Sequence, residues 1–227
     1  MLAPRKKLWS TPPSVIAAAR SLLSPFTDTS VVYDVGCGDG RVLIALASTS
    51  TEGAAFVGVE IDGERAEEAR RNVEAAGLAE RITILCSNAL TVDYSSCTHM
   101  FLYLVPRGLR IFKPVLLSSR AASSSSPTVL EVVTYMAGFA DVEAVERVTV
   151  EVEHQEGAAW PVYYYRFQKE EREGEEEGEE EEGEEEEQRE EQREANPRRK
   201  REWAAAGLAA LGAAALLLLL AARRRRR

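Results

Sequence analysis

The chain has 227 residues and carries 37 acidic against 28 basic side chains, which gives a formal net charge of −9. The acidic excess is local: residues 169–194 hold 17 glutamates and 4 basic residues, whereas residues 1–168 hold 19 acidic and 15 basic residues and so lack the strong basic footprint of a nucleic-acid-binding domain. The three cysteines have neither metal-ligand spacing nor an even disulfide count, so we expect no metal site.

In chain order, the hydrophobic pattern predicts one domain of alternating strands and helices over residues 1–168. Such alternation predicts an α/β fold with a mostly parallel, doubly wound sheet. Two later strands predict an antiparallel hairpin at the sheet edge. The predicted helices are 14–23, 41–48, 63–76 and 107–118, and the predicted strands are 31–35, 55–60, 82–86, 99–104, 128–134, about 148–152, and 162–168.

The first predicted strand of the sheet runs into three glycines at alternate positions, in the sequence VVYDVGCGDGR at residues 31–41. These are Gly36, Gly38 and Gly40, and Asp34 precedes them. Glycine is needed where a backbone turns sharply or where a ligand lies against it, and a strand, glycine loop and helix form a nucleotide-binding geometry. The spacing matches neither the dinucleotide fingerprint nor the phosphate loop. A tight turn without a ligand is the alternative.

Polar side chains follow the second and third predicted strands. Glu60 ends an apolar run about 20 residues beyond the glycine loop, where a carboxylate can accept hydrogen bonds from ribose hydroxyls. A solvated acid at a strand end is the alternative for Glu60. We assign Asp62 to the N-cap of the next helix. Asn88 follows the third strand and can both donate and accept hydrogen bonds, although an ordinary turn asparagine would look the same.

The glycine run resembles the first motif of class I S-adenosyl-L-methionine (AdoMet) methyltransferases. The resemblance implies a Rossmann-like fold with a mostly parallel seven-stranded sheet and a C-terminal antiparallel hairpin. It also implies AdoMet as the cofactor, with Asp34 or Asp39 at the methionine ammonium or the loop, Glu60 at the ribose, and Asn88 at the adenine edge. The implied cofactor-binding residues are Asp34, Gly36, Gly38, Asp39, Gly40, Glu60 and Asn88.

A narrower resemblance rests on several short runs. Residues 102–106 read LYLVP, where many amino-methylating enzymes carry Asn/Asp-Pro-Pro-Tyr/Phe. With TPP at 11–13, VGVEID at 57–62 and WPVYYYR at 160–166, the chain resembles the small mitochondrial protein-lysine methyltransferases that act on the ATP synthase c subunit and the adenine nucleotide translocase. The resemblance covers residues 8–168 and implies methyl transfer to a lysine of a mitochondrial membrane protein.

Tyr103 is the candidate catalytic residue. In the fold that the resemblance implies, it lies at a strand end facing the methyl site, where its hydroxyl or ring face could hold the substrate amine. A packed aromatic beside Pro106 is the alternative. No general base is identifiable. The alternative functions are a methyltransferase acting on a small molecule or RNA, and a non-catalytic membrane scaffold that keeps the AdoMet fold. The glycine loop and Glu60 argue against the scaffold.

The composition changes abruptly after residue 168. Residues 169–202 predict an acidic disordered linker that ends in a basic cluster, because such a run of glutamates cannot bury a core. The sequence of residues 203–222 predicts a transmembrane anchor. Trp203 is followed by 19 residues without a polar side chain, which as a helix would be about 28 Å long, close to the thickness of a bilayer core. Residues 223–227 form a basic tail. We therefore expect membrane anchoring, at a mitochondrial membrane, next to a membrane protein substrate.

Overall fold

The computed structural model describes residues 10–50, 53–152 and 157–169, which belong to one compact unit, residues 1–170. Helices and strands alternate in this part of the chain, as the hydrophobic pattern predicts, and a short 3-10 turn at Ala89–Thr91 follows the third strand. The elements are α1 (Pro13–Leu23), β1 (Val31–Val35), α2 (Arg41–Ala47), β2 (Ala55–Glu60), α3 (Gly63–Ala75), β3 (Ile82–Cys86), β4 (His99–Leu102), α4 (Pro106–Ala121), β5 (Val129–Tyr135), β6 (Glu146–Glu151) and β7 (Ala159–Gln168).

The strands form one seven-stranded sheet in the order β3-β2-β1-β4-β5-β7-β6. Strands β1 to β5 pair in parallel, and β7 runs antiparallel to both of its neighbours, β5 and β6. The predicted Rossmann-like fold with a C-terminal antiparallel hairpin is confirmed. The strand order reverses between β1 and β4, and a sheet of this type opens a crevice at the carboxyl ends of the strands at that point.

Two apolar clusters hold the sheet in place, one on each face. Side chains from α1, α2 and α3 pack on one face, and α4 with the segment after β3 packs on the other. Burial on both faces explains why β1 and β2 read as nearly continuous apolar runs in the sequence. Strand β3, at the edge of the sheet, is fully buried only at Ile82 and Ile84.

Several predicted strand boundaries were wrong. Strand β5 spans Val129–Tyr135 instead of 128–134, and β6 spans Glu146–Glu151 instead of about 148–152. Two further differences lie at the carboxyl edge of the sheet. Strand β4 ends at Leu102 instead of Leu104, because the chain turns there into α4, whose first residue is Pro106. Strand β7 begins at Ala159 instead of Val162, because the last residue of β5, Tyr135, pairs with Val162 and the residues before it pair with β6. The β6–β7 hairpin therefore extends past the end of β5.

The close packing of α2 on the sheet depends on Gly58 in β2. A Cβ atom added to Gly58 would lie 2.7 Å from Cys37 Sγ, 2.7 Å from Ile84 Cδ1 and 2.9 Å from Leu43 Cδ1. We expect Gly58→Ala to lower the free energy of unfolding by about 1–3 kcal/mol through overpacking. Urea denaturation measures this effect. Gly63→Ala is the matched control, because nothing lies within 4 Å of its added Cβ, and an equal loss in both variants would contradict the packing argument.

The predicted acidic linker, membrane anchor and basic tail, residues 169–202, 203–222 and 223–227, lie outside the described residues, apart from Lys169. Within the described ranges, no helix is both long enough and apolar enough to cross a membrane.

Candidate active site

The glycine loop has the backbone conformation that its sequence predicts. Gly36, Gly38 and Gly40 have φ angles of 81°, 57° and 80°, a region that side-chain-bearing residues rarely adopt. The amides of Gly36 and Cys37 donate hydrogen bonds to the Val59 carbonyl at 2.7 and 3.1 Å. These bonds fix the loop to the end of β2, beside the crevice between β1 and β4.

Glu60 is buried beneath this loop, with 6% of its surface exposed. Its Oε2 accepts a hydrogen bond from the Gly38 amide at 3.0 Å, and its Oε1 accepts one from the Asp62 amide at 3.0 Å. The alternative of a solvated acid is therefore wrong. An ionised carboxylate has about four acceptor positions, so both oxygens keep capacity for ribose hydroxyls. Asp62 caps α3 as predicted, because its Oδ1 accepts from the Glu64 and Arg65 amides.

Asp34 is a buried acid on β1, with 3% of its surface exposed. None of the described residues donates a hydrogen bond to its carboxylate. Burial, followed by the negative charges of Glu60 and Asp39, raises the pKa of Asp34 to about 8. A cationic group bound in the crevice would favour the ionised form of this side chain. The structure thus combines a buried acid that receives no hydrogen bond from the described residues and a carboxylate with spare acceptor positions.

Asp39 lies on the loop, but its carboxylate is engaged within the protein. Arg41 Nη2 lies 2.5 Å from Asp39 Oδ2, and Arg41 Nε donates to both carboxylate oxygens at 3.0 Å. Burial alone would raise the pKa of Asp39, but the hydrogen bonds from Arg41 outweigh it and hold that pKa below its usual range. A cofactor ammonium would have to compete with Arg41, so the binding role of Asp39 stays a prediction.

Asn88 follows β3 at the same edge of the sheet. Its Oδ1 accepts a hydrogen bond from the Leu90 amide at 3.0 Å and so caps the turn that begins at Ala89. Residue Cys86, two positions earlier, pairs with Glu60 on β2. Asn88 is thus a turn asparagine that lies near the proposed ribose position, and its contact with an adenine edge stays a prediction.

Tyr103 is the first residue after β4 and is half-buried. Its ring packs on Tyr135 with centroids 4.6 Å apart, and its hydroxyl donates a hydrogen bond to Met136 Sδ at 3.1 Å. Burial raises the pKa of Tyr103, so the hydroxyl is neutral at physiological pH. The next residue, Leu104, lies against the glycine loop, because a Cβ on Gly36 would be 3.8 Å from Leu104 Cδ2.

Two neighbours of Tyr103, namely Tyr135 and Met136, were missed at the level of sequence. They stand at the carboxyl end of β5, the strand next to β4. The signal for them was topological: carboxyl ends of neighbouring parallel strands share one edge, where ligands bind. The φ angle of Met136, 66°, had no sequence signal, since methionine seldom adopts it.

Comparisons with known proteins agree with this geometry. Residues 34–125 match the model of the ANTKMT methyltransferase domain. A protein-lysine N-methyltransferase from Saccharolobus islandicus is 37% identical over 106 residues, which cover 47% of this chain and 65% of the relative. A tRNA1(Val) (adenine(37)-N6)-methyltransferase from Erwinia tasmaniensis is 31% identical over 83 residues, which cover 36% of this chain and 33% of that protein. The chain thus spans less than two thirds of the length of both curated relatives.

Solved structures extend the similarity across the domain. The crystal structure of an RNA methyltransferase from Salinibacter ruber in complex with S-adenosyl-L-homocysteine aligns with a TM-score of 0.60 at 29% identity, covering 73% of this chain and 98% of that one. TrmN from Thermus thermophilus aligns with a TM-score of 0.50 at 17% identity, covering 66% and 47% of the two chains, which supports the fold alone. From the family match, the glycine loop and the strand order, residues 34–125 carry an ANTKMT-type methyltransferase domain, set in the Rossmann-like fold of an AdoMet-dependent methyltransferase.

Proposed function

We propose that this protein transfers a methyl group from AdoMet to the side-chain amine of a lysine in a mitochondrial membrane protein. The observation that carries the proposal is the composition of the crevice. Asp34, a buried acid with no hydrogen-bond donor in the described part of the chain, lies on the β1–β2 side together with Glu60, which has spare acceptor positions. Tyr103, a neutral hydroxyl, lies on the β4 side.

The acids of the crevice fit AdoMet as the cofactor. The ammonium and sulfonium of AdoMet are cationic and would be attracted by the acidic side chains of Asp34 and Glu60. Its ribose hydroxyls can donate hydrogen bonds to the remaining acceptor positions on Glu60. When bound, AdoMet supplies a methyl group already activated by the sulfonium. The S-adenosyl-L-homocysteine bound by the Salinibacter ruber relative supports this assignment.

The tyrosine side of the crevice fits an amine. A lysine must be neutral to act as a nucleophile, and burial beside a cationic ligand lowers its pKa. The neutral Tyr103 hydroxyl can accept a hydrogen bond from an amine without adding a charge, and alignment of the two reacting groups supplies much of the rate enhancement. The protein-lysine methyltransferase from Saccharolobus islandicus supports a lysine substrate.

RNA is the second candidate substrate, and specific relatives favour it. The Erwinia tasmaniensis relative is named as a tRNA methyltransferase and the Salinibacter ruber relative as an RNA methyltransferase. One observation weighs against RNA in this chain. Residues 1–168 are near neutral in charge and lack the basic footprint of a nucleic-acid-binding domain. We therefore favour lysine.

The place of action rests on the sequence pattern and the family resemblance. We propose that residues 203–222 anchor the protein in a mitochondrial membrane. Anchoring raises the local concentration of a membrane substrate without any new contact in the active site.

The proposed function is tested with the full chain, radiolabelled AdoMet and separate preparations of mitochondrial membranes, microsomal membranes and total RNA. We expect label in a protein of the mitochondrial membranes, with methyl-lysine found by mass spectrometry. Removal of residues 203–227 is expected to reduce that label on the order of 100-fold, as loss of effective concentration predicts. The Asp34→Asn variant controls for contaminating enzymes. Label confined to RNA or to small molecules would contradict the lysine proposal.

A further inference from the structure

The hydrogen bond between Tyr103 and Met136 fixes the direction in which the tyrosine hydroxyl donates. Tyr103 Oη lies 3.1 Å from Met136 Sδ. A thioether has no hydrogen to give, so the hydroxyl is the donor and the sulfur the acceptor. With its single hydrogen committed to sulfur, Tyr103 Oη presents lone pairs to any other group that approaches it.

This direction matters for an amine nucleophile. A hydroxyl that donates to the amine nitrogen would occupy the lone pair that must attack the methyl carbon. A hydroxyl that accepts an N–H bond from the amine instead leaves that lone pair free and orients it. We propose that Met136 is a positioning residue that holds the Tyr103 hydroxyl as a hydrogen-bond acceptor for the substrate amine. This inference rests on the proposed function.

The structure holds Met136 in an uncommon conformation at this point. Its φ angle is 66°, and such strain in a residue other than glycine persists only where the surroundings impose it, often at functional sites. Two contacts do so. The Met136 amide donates to the Pro161 carbonyl at 2.9 Å, on the part of β7 that extends past β5, and the adjacent Tyr135 packs its ring on Tyr103 at 4.6 Å. The Met136 backbone is thus held at the hairpin, and its sulfur lies within hydrogen-bond distance of the Tyr103 hydroxyl.

The first test compares rates of methyl transfer to detergent-solubilised mitochondrial membrane protein, titrated in acceptor. Met136→Leu keeps the side-chain size and removes the hydrogen-bond acceptor. We expect the maximum rate to fall about tenfold, in line with the loss of one oriented hydrogen bond. The half-saturating concentration of the methyl-accepting protein should stay within about twofold of the wild-type value. Met136→Gln restores an acceptor and is expected to recover most of the rate. Met100→Leu, in the buried core of β4, is the matched control for an ordinary methionine substitution.

The second test does not depend on activity. Tyrosine ionisation is followed by ultraviolet absorbance, with the Tyr103→Phe variant subtracted to isolate Tyr103. Because a bond donated to sulfur stabilises the neutral hydroxyl, Met136→Leu is expected to lower the pKa of Tyr103, and Met136→Gln to keep it raised. An unchanged ionisation curve in Met136→Leu would overturn the inference, whether or not the protein labels a lysine.

The two tests also separate this inference from the proposed function. If the wild-type protein methylates no membrane protein, the proposed function fails, and the inference fails with it. If the wild type is active and Met136→Leu matches it in maximum rate, only the inference fails. In a Tyr103→Phe background, Met136→Leu is expected to change the rate less than twofold, because the group it positions is already gone.

Discussion

Asp34→Asn is expected to make the ligand-free protein more stable at pH 8 while it weakens AdoMet binding at least tenfold. The stability gain follows from the pKa of Asp34, which burial and the charges of Glu60 and Asp39 raise from 3.8 to about 8. The folded state therefore holds the proton more tightly than the unfolded state. The stability this proton contributes is complete below pH 3.8 and is lost as the pH rises towards 8, with an upper bound on the order of 5 kcal/mol. Asparagine stays neutral and avoids the loss.

The loss of binding follows from the same charge. A cationic cofactor lowers the pKa of Asp34, so binding below pH 8 releases a proton. Wild-type affinity is expected to rise with pH up to that value, by at most tenfold per unit. Titration calorimetry at pH 6, 7 and 8, in buffers of different ionisation enthalpy, measures both the affinity and the proton release. In Asp34→Asn, we expect the affinity for AdoMet not to rise with pH and binding not to release a proton from this position.

Asp39→Asn is the matched control for Asp34→Asn. Its carboxylate already pairs with Arg41, so the substitution should leave the proton release in place. Wild-type affinity in Asp34→Asn at pH 8 would contradict the proposed role of Asp34.

Part of the site could be predicted from sequence because Asp34 stands just before the glycine run, in the place that the class I methyltransferase motif gives to an acid. The burial of Asp34, which makes an acid without a donor among the described residues costly, became visible only in the structure. The loop and Glu60 belong to short segments whose chemistry is local. The bounds of β1, β2 and β3 were predicted to the residue. Strands β1 and β2 are buried on both faces and so appear as contiguous apolar runs.

The parts of the site that escaped prediction depend on pairing between distant segments. The early start of β7 reflects its pairing with β6. Met136 meets Tyr103 across 33 positions of sequence. Single-sequence patterns carry no register between strands, so the acceptor side of the active site becomes visible only once the sheet is assembled.

Glu60→Gln is expected to weaken AdoMet binding by about 10- to 100-fold, the equivalent of one or two charge-assisted hydrogen bonds. The carboxylate accepts from the Gly38 amide with one oxygen and from the Asp62 amide with the other. Glutamine has only one carbonyl oxygen, so whichever way its amide is turned, its NH2 group faces one of these backbone donors. The substitution therefore removes an anchor of the glycine loop or of the turn into α3, in addition to an acceptor for ribose.

Calorimetry of AdoMet binding, alongside thermal unfolding of the ligand-free protein, separates these two effects. Adenosine serves as a second ligand, because it retains the ribose hydroxyls and lacks the cationic methionine portion. Loss of the ribose contact should weaken the binding of adenosine and of AdoMet by the same factor. A displaced glycine loop should weaken the binding of AdoMet more than that of adenosine. Glu64→Gln, on the exposed first turn of α3, is the matched control and should bind both ligands as the wild type does. Binding of AdoMet by Glu60→Gln within twofold of wild type would mean that the acceptor positions on Glu60 do not face the cofactor.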